Sequence, residues 1–251
     1  MVTKSEILAM QVDVTSFDSA VNDILLFTDA KKASYVCIAN VHMCMEVYDC
    51  EQFRKIVNSA NLVLADGRPI YWAQKLLGYK QAKQIRGQDL MTELCHHSEL
   101  LNLRIGLYGG HNKEILDKVT TELVKLFPQI NISYQYSPPH RVLSDNENNS
   151  VIDEIEQANV DILFVGIGCP KQERWMAKNV NNLSCVQIGV GAAFDFIAGE
   201  KKHAPKWLQR IGLEWLFRLL NEPKRLALRY LKQNPRFVYY FVKKLVNNRI
   251  L

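Results

Sequence analysis

Apolar residues along the chain fall into two alternating rhythms. Short, continuously apolar runs at Ser34–Ala39, Asn61–Ala65, Arg104–Tyr108, Ile162–Val165 and Val186–Val190 predict strands covered on both faces, as in a parallel sheet. Between them, apolar positions recur every three to four residues and predict helices. One is capped by Thr15 or Ser16 and carries Val21, Ile24, Leu25 and Phe27 on one face; others cover Val41–Asn58, Tyr71–Leu77, a segment bearing Met91, Leu94 and Leu101, and Lys113–Phe127. Ile7–Val14 and Asn131–Tyr136 read as further strands, whereas Ser137–His140 and the polar stretch Ser144–Ser150 read as loop. Strand and helix alternate to about Gly199. Residues 1–199 are therefore expected to form a doubly wound, mostly parallel, Rossmann-like α/β domain, and residues 200–251 a basic, aromatic-rich helical appendage.

An open α/β sheet places its ligand crevice at the carboxyl ends of the strands. Candidate chemistry is accordingly sought where each apolar run ends. Gly166, Gly168, Gly189 and Gly191 follow two of these runs and Gly109-Gly110 a third; glycine there lets backbone N–H groups approach a phosphate, or simply makes a tight turn. Asn40 ends one strand and could read a base or sugar, or merely terminate it. Asp66, in Ala65-Asp66-Gly67-Arg68-Pro69, could accept a hydroxyl proton or cap the next helix. Arg86 could meet a diphosphate, with Asp89 capping or orienting it. His42 and Glu46, four apart on a helix, and His96-His97 show no metal-ligand set and stay unassigned.

Charge changes the picture at one end only. The net charge of +5 divides into 13 basic and 2 acidic residues over 201–251 and a net −6 over the preceding 200. Basic residues interleaved with Trp207, Trp215, Phe217, Tyr230, Phe237 and Tyr239 predict a surface for anionic lipid, with nucleic acid as the competing partner and a solvated helix pair as the plain alternative. Six cysteines without a C-x-x-C pair predict free, mostly buried thiols in a reducing cytoplasm. No signal peptide is expected, and no apolar run reaches the ~18–20 residues that span a bilayer, so any membrane contact is expected to be peripheral.

Several stretches together resemble one family. Ala65-Asp66-Gly67, Arg86-Gly87-x-Asp89-Leu90, Gly109-Gly110, the run from Val165 to Trp175, Gly189 to Asp195, Ala204-Pro205-x-Trp207 and Gly212-Leu213-Glu214-Trp215-Leu216-x-Arg218-Leu219 are similar to the WecG/TagA/CpsF glycosyltransferases, glycosyltransferase family 26. The resemblance implies an inverting, metal-independent and cofactor-free transfer of a sugar from a UDP-sugar to a polyprenyl-diphosphate-linked saccharide, at the cytoplasmic face of the membrane, in cell-surface polysaccharide assembly. N-acetylmannosamine, its uronate, glucose and glucuronate stay open as the donor sugar, and a homo-oligomer is possible.

Carried onto this chain, the resemblance makes Asp66 the general base. It places Asn40 and Gln172 near the donor, takes in Gly168, Gly191 and Asp195 through their motifs, and has Arg218, Arg225 and Arg229 supplied by the appendage. Two positions depart from the family pattern: Ile38 where threonine is common, and His203 where arginine precedes Ala-Pro. No Asp-x-Asp occurs, so charge on a leaving diphosphate would fall to arginines, glycine-turn amides and helix N-termini. Two other readings compete: an NAD-type oxidoreductase, for which Gly189-x-Gly191-x-x-Phe194 lacks the third glycine and the later acidic residue, and a non-catalytic protein binding anionic lipid through its tail.

Overall fold

The computed structural model describes residues 3–210 and 212–250, and the side chains of these except Lys206, Arg210, Arg225, Asn248, Arg249 and Ile250. In chain order the elements are β1 (Lys4–Ile7), β2 (Met10–Asp13), α1 (Phe17–Asp29), β3 (Ser34–Ala39), α2 (Val41–Asp49), α3 (Glu51–Asn58), β4 (Leu62–Ala65), α4 (Arg68–Leu76) and α5 (Gly87–Leu101). There follow β5 (Arg104–Gly109), α6 (Lys113–Leu126), β6 (Asn131–Tyr136), α7 (Asp145–Gln157), β7 (Ile162–Gly166), α8 (Lys171–Asn179), β8 (Val186–Gly189), α9 (Ala193–Ile197), α10 (Lys206–Arg210), α11 (Glu214–Asn221) and α12 (Pro223–Ile250).

Six strands form one sheet in the order β4-β3-β8-β7-β5-β6, and every pair in it is parallel. The continuous apolar runs follow from burial on both faces. Along β3, Val36 and Ile38 pack with α1, α5, α6 and α9, while Cys37 and Ala39 face the core beneath α2, α3, α7 and α8. The expected doubly wound α/β sheet is thus present. All six cysteines are unpaired, four of them buried.

Three segments differ from the periodicity. Ile7–Val14 is not one strand: a left-handed Leu8 (φ 56°) turns the chain into a two-stranded antiparallel hairpin with Ile7 opposite Met10. Alternation alone does not distinguish the two, because inward positions on both strands are apolar. Val41–Asn58 breaks into α2 and α3 at an extended Cys50. Arg54 compensates the break by donating from Nε to the Val47 carbonyl and from Nη2 to that of Tyr48, each at 3.2 Å. Ser144–Ser150 is the start of α7 rather than loop. Ser144 forms a reciprocal capping box with Glu147, a signal masked by the solvated first turn.

The chain after Gly199 folds back onto the sheet's α2 side. Phe237 and Phe241 of α12 are buried in the core there, the Tyr240 ring meets that of Tyr48 at a tilt of 31° with centroids 4.7 Å apart, and Arg236 grips Asp49 through two bonds of 2.7 and 2.9 Å. Lys244 donates to the Glu6 carboxylate at 2.6 Å and to the Leu8 carbonyl at 3.0 Å, tying α12 to the hairpin. Among the described residues, no helix is long and apolar enough to cross a membrane.

Candidate active site

A cavity of about 290 Å³ opens at the carboxyl ends of β3, β4, β7 and β8. Its floor is built from strand ends and the amino-terminal turns of α2, α4, α5 and α8, and its roof from α11 and α12. Four helix N-termini facing one space make it suited to an anion.

Asp66 belongs to the floor. Its backbone N–H donates to the Ala39 carbonyl at 2.9 Å, fixing the end of β4 beside that of β3, and Gln84 Nε2 donates to the Asp66 carbonyl at 2.5 Å. Asp66 does not cap α4: the N-cap is Gly67, with no side-chain cap bond. Asp66 is half-buried and lines the cavity. Burial raises its pKa to about 7, opposed by the Arg218 guanidinium, reinforced by Glu214, and adjusted by Arg86 and Asp89.

Asn40 follows β3 and begins the next helix. Its Oδ1 accepts from Met43 N–H at 3.1 Å, capping α2, and the residue also lines the cavity. Gln172 is 3% exposed; its Oε1 accepts from Gly168 N–H at 3.1 Å and its Nε2 donates to Glu173 Oε1 at 2.8 Å. A Cβ on Gly189 would stand 2.8 Å from Gln172 Nε2, so this glycine is what lets the glutamine lie across the end of β8.

Glu173 is fully buried, which raises its pKa to about 7 against the opposing bonds from Gln172 and Cys169. With the folded pKa above the unfolded value of 4.5, the stability conferred by the neutral group is complete below about 4.5 and lost as pH rises through about 7. Glu173→Gln should therefore gain melting temperature relative to the parent on going from pH 5 to pH 8; thermal melts at the two values check the sign.

Arg86 is a planar fork on Asp89, at 2.7 Å from both Nε and Nη2, and its Nη1 reaches Gln209 Oε1 and lies 3.9 Å from Glu214. Arg68 donates to the Gln209 carbonyl at 2.9 Å. Gly212, at φ 80°, packs flat on Trp72, where a Cβ would meet the indole at 2.7 Å. These contacts hold the segment before α11 over the cavity. In the roof, Arg218 lies over the Phe196 ring at 5.5 Å, its Nε buried and without a hydrogen-bond partner among the described residues, and Arg229 lies over Tyr230 at 5.6 Å.

Of the candidate residues, Asn40, Asp66, Arg86, Gly168, Gln172, Gly191, Arg218 and Arg229 converge on this cavity. Gly109, Gly110 and Asp195 do not line it. Gly109 closes β5 against the Gly166 backbone and Gly110 N–H donates to the Gly166 carbonyl at 3.3 Å. Asp195 pairs with Lys201, which lies 3.4 Å from Glu222. Arg225 falls outside the described side chains. Ile38 gives the cavity an apolar patch, and His203 does not line it but lies 3.2 Å from Gln88, which does. Gln84, Glu214, Gln233 and Asn234 also line the cavity and were not singled out from the sequence; the Gly212-Leu213-Glu214-Trp215 stretch was the available signal for Glu214. His42, left unassigned, is a wall residue 3.7 Å from Glu46, with its pKa lowered by burial and by Arg229. Among the described residues, no group of three or more His, Cys, Asp or Glu could hold a metal ion.

The sequence matches the glycosyl transferase WecG/TagA/CpsF family over residues 5–250. The chain belongs to this family. Its similar members include N-acetylglucosaminyldiphosphoundecaprenol N-acetyl-beta-D-mannosaminyltransferases of Staphylococcus aureus. That of strain MW2 is 28% identical over 243 residues, covering 96% of this chain and 92% of the relative. That of strain MRSA252 is 29% identical with the same coverage. Membership in a glycosyltransferase family sets aside the oxidoreductase reading of the glycine turns.

Proposed function

We propose that the protein is an inverting glycosyltransferase that moves a sugar from a UDP-sugar to a saccharide carried on polyprenyl diphosphate, with N-acetylmannosamine the first donor sugar to test, in cell-surface polysaccharide synthesis. The observation that carries this reading is Asp66: a carboxyl group poised near neutrality, not engaged in capping, in a cavity walled by helix N-termini and arginines. The names of the similar Staphylococcus aureus enzymes support the choice of donor sugar and of a lipid-diphosphate acceptor.

In this mechanism ionised Asp66 takes the proton of the acceptor hydroxyl as its oxygen attacks the anomeric carbon. The bond from that carbon to the UDP oxygen breaks, and attack from the opposite side inverts the configuration. Negative charge gathers on the departing diphosphate. Arg218, Arg229 and the amino-terminal turns of α2 and α8 supply the compensating field, so the reaction is proposed to need neither metal nor cofactor. UDP should raise the melting temperature in the presence of EDTA, by the equivalent of ~2.7 kcal/mol at ~100 times its dissociation constant. Stabilisation by NAD and not by UDP would overturn the reading.

Residues 200–251 are proposed to hold the enzyme peripherally on the inner membrane face. Trp207, Leu220, Leu228 and Leu231 are exposed there, and Lys224 and Lys232 stand among them, the combination that favours anionic bilayers. Lys224→Glu with Lys232→Glu should weaken co-sedimentation with phosphatidylglycerol vesicles by ~1 kcal/mol per charge removed and leave UDP binding unchanged; undiminished vesicle binding would contradict this role. The 1–199 and 200–251 division is kept as a functional one, since α12 packs into the shared core.

A further inference from the structure

Helix α12 carries two adjoining faces of different character. One lines the catalytic cavity: Arg229, Tyr230, Gln233, Asn234, Phe237 and Val238. Along it the chemistry is graded, from a guanidinium through two amides to an aromatic ring and a valine. The other face is apolar and uncovered. Leu228, Leu231, Val238, Val242 and Val246 are 79, 73, 56, 50 and 49% exposed, and at ~100° per residue they lie within an arc of about 80°. Val238 alone belongs to both sets. Lys224 shares this arc at its amino-terminal end, but between Leu228 and Val246 no cation falls within it, Arg236 being turned onto Asp49 and Lys244 onto Glu6 and the hairpin.

From this geometry we propose that the cavity's exit over Val238 is a prenyl subsite. The first isoprene units of the acceptor leave the catalytic cavity there and lie along Val238 and Val242. The inference rests on the lipid-diphosphate acceptor proposed above. In such a lipid the hydrocarbon begins one C–O bond beyond the phosphate, so the groups that hold the diphosphate dictate where the chain starts. With Arg218 and Arg229 in the roof, the first isoprene has two directions open to it. Toward the floor it would press hydrocarbon onto the Asp66 carboxylate, which must stay ionised to act. Along α12 it meets Phe237 and Val238 within ~14 Å of Arg229, counted at ~1.5 Å per residue. Beyond Val238 the row runs ~12 Å further to Val246, on the face that also exposes the leucines. The chain thus passes from cavity to bilayer without a polar barrier.

Binding of prenyl diphosphates of increasing length tests this without any sugar transfer. Dimethylallyl, geranyl and farnesyl diphosphate are titrated calorimetrically into the full-length protein, below their micelle-forming concentrations and without lipid. Affinity should rise at least ~5-fold with each isoprene unit added, from the apolar area buried. Val242→Asn with Val246→Asn, both exposed and outside the cavity lining, should flatten that rise while leaving UDP affinity and melting temperature unchanged. Affinity independent of chain length in the parent, or a length dependence retained in the variant, would overturn the subsite. A variant that loses only vesicle binding or self-association, with length dependence intact, would assign the valines to the bilayer or to a second copy and would equally overturn it. Failure of the glycosyltransferase reading would appear separately, as absence of transfer to any prenyl-linked sugar despite length-dependent binding.

Discussion

Asp66→Asn should fold, bind UDP as the parent does, and transfer sugar ~10²–10⁴-fold more slowly, the range expected when a general base is lost. Asparagine keeps the size of the side chain and the backbone bonds that join β4 to β3, so the loss belongs to the carboxylate. The same carboxylate sets a pH dependence. Its pKa is raised to about 7, first by burial, and only the ionised form takes a proton. In the parent kcat/KM should therefore climb with pH through about 7 and level off above it. Stability should move the other way: the neutral group favours the fold below the unfolded value of 3.8, and this contribution is lost as pH rises through about 7. Asp66→Asn should thus lose the acidic limb in any residual activity and melt higher than the parent at pH 8. Steady-state kinetics from pH 5.5 to 9 and melts at both ends read the two effects; an unchanged rate would remove Asp66 from the chemistry.

Arg218→Gln is expected to have the second largest effect, a fall in kcat of ~10²–10³-fold, as for other preorganised groups that meet charge developing in the transition state. It also carries a signature that damage to the fold would not reproduce. The Arg218 guanidinium is the strongest influence holding down the pKa of Asp66, against burial. Removing it should move the acidic limb of kcat/KM to higher pH. A kcat loss with the limb in place would separate Arg218 from Asp66 and put its role in binding alone.

Much of the sheet was legible because a strand buried on both faces must be apolar throughout. Ser34–Ala39 coincides with β3 to the residue, and the floor of the site followed from the ends of such runs, at Asn40, Asp66, Gly168 and Gly191. Local rhythm failed where a local contact redirected the chain. Leu8 in a left-handed turn split the first strand, and Arg54 allowed α2 and α3 to part at Cys50. The roof was only partly legible for a different reason. Glu214, Gln233 and Asn234 reach the cavity because α12 docks through Phe237, Phe241 and Arg236 onto α2, and no periodicity within residues 200–251 encodes what that segment packs against. Gln84 was hidden too, since its side chain acts through the Asp66 carbonyl, a contact 18 residues back along the chain.

The central claim is sugar transfer from UDP to a lipid-linked acceptor, and it is tested most directly by incubating the full-length protein with UDP-N-acetylmannosamine and prenyl-diphosphate-linked N-acetylglucosamine in EDTA, then resolving the products by chromatography and mass spectrometry. The account predicts a lipid-linked disaccharide with inverted anomeric configuration and one UDP released per linkage, formed ~10²–10⁴-fold more slowly by Asp66→Asn. Intact substrates across the UDP-sugars of N-acetylmannosamine, its uronate, glucose and glucuronate, from a protein that binds UDP, would contradict it.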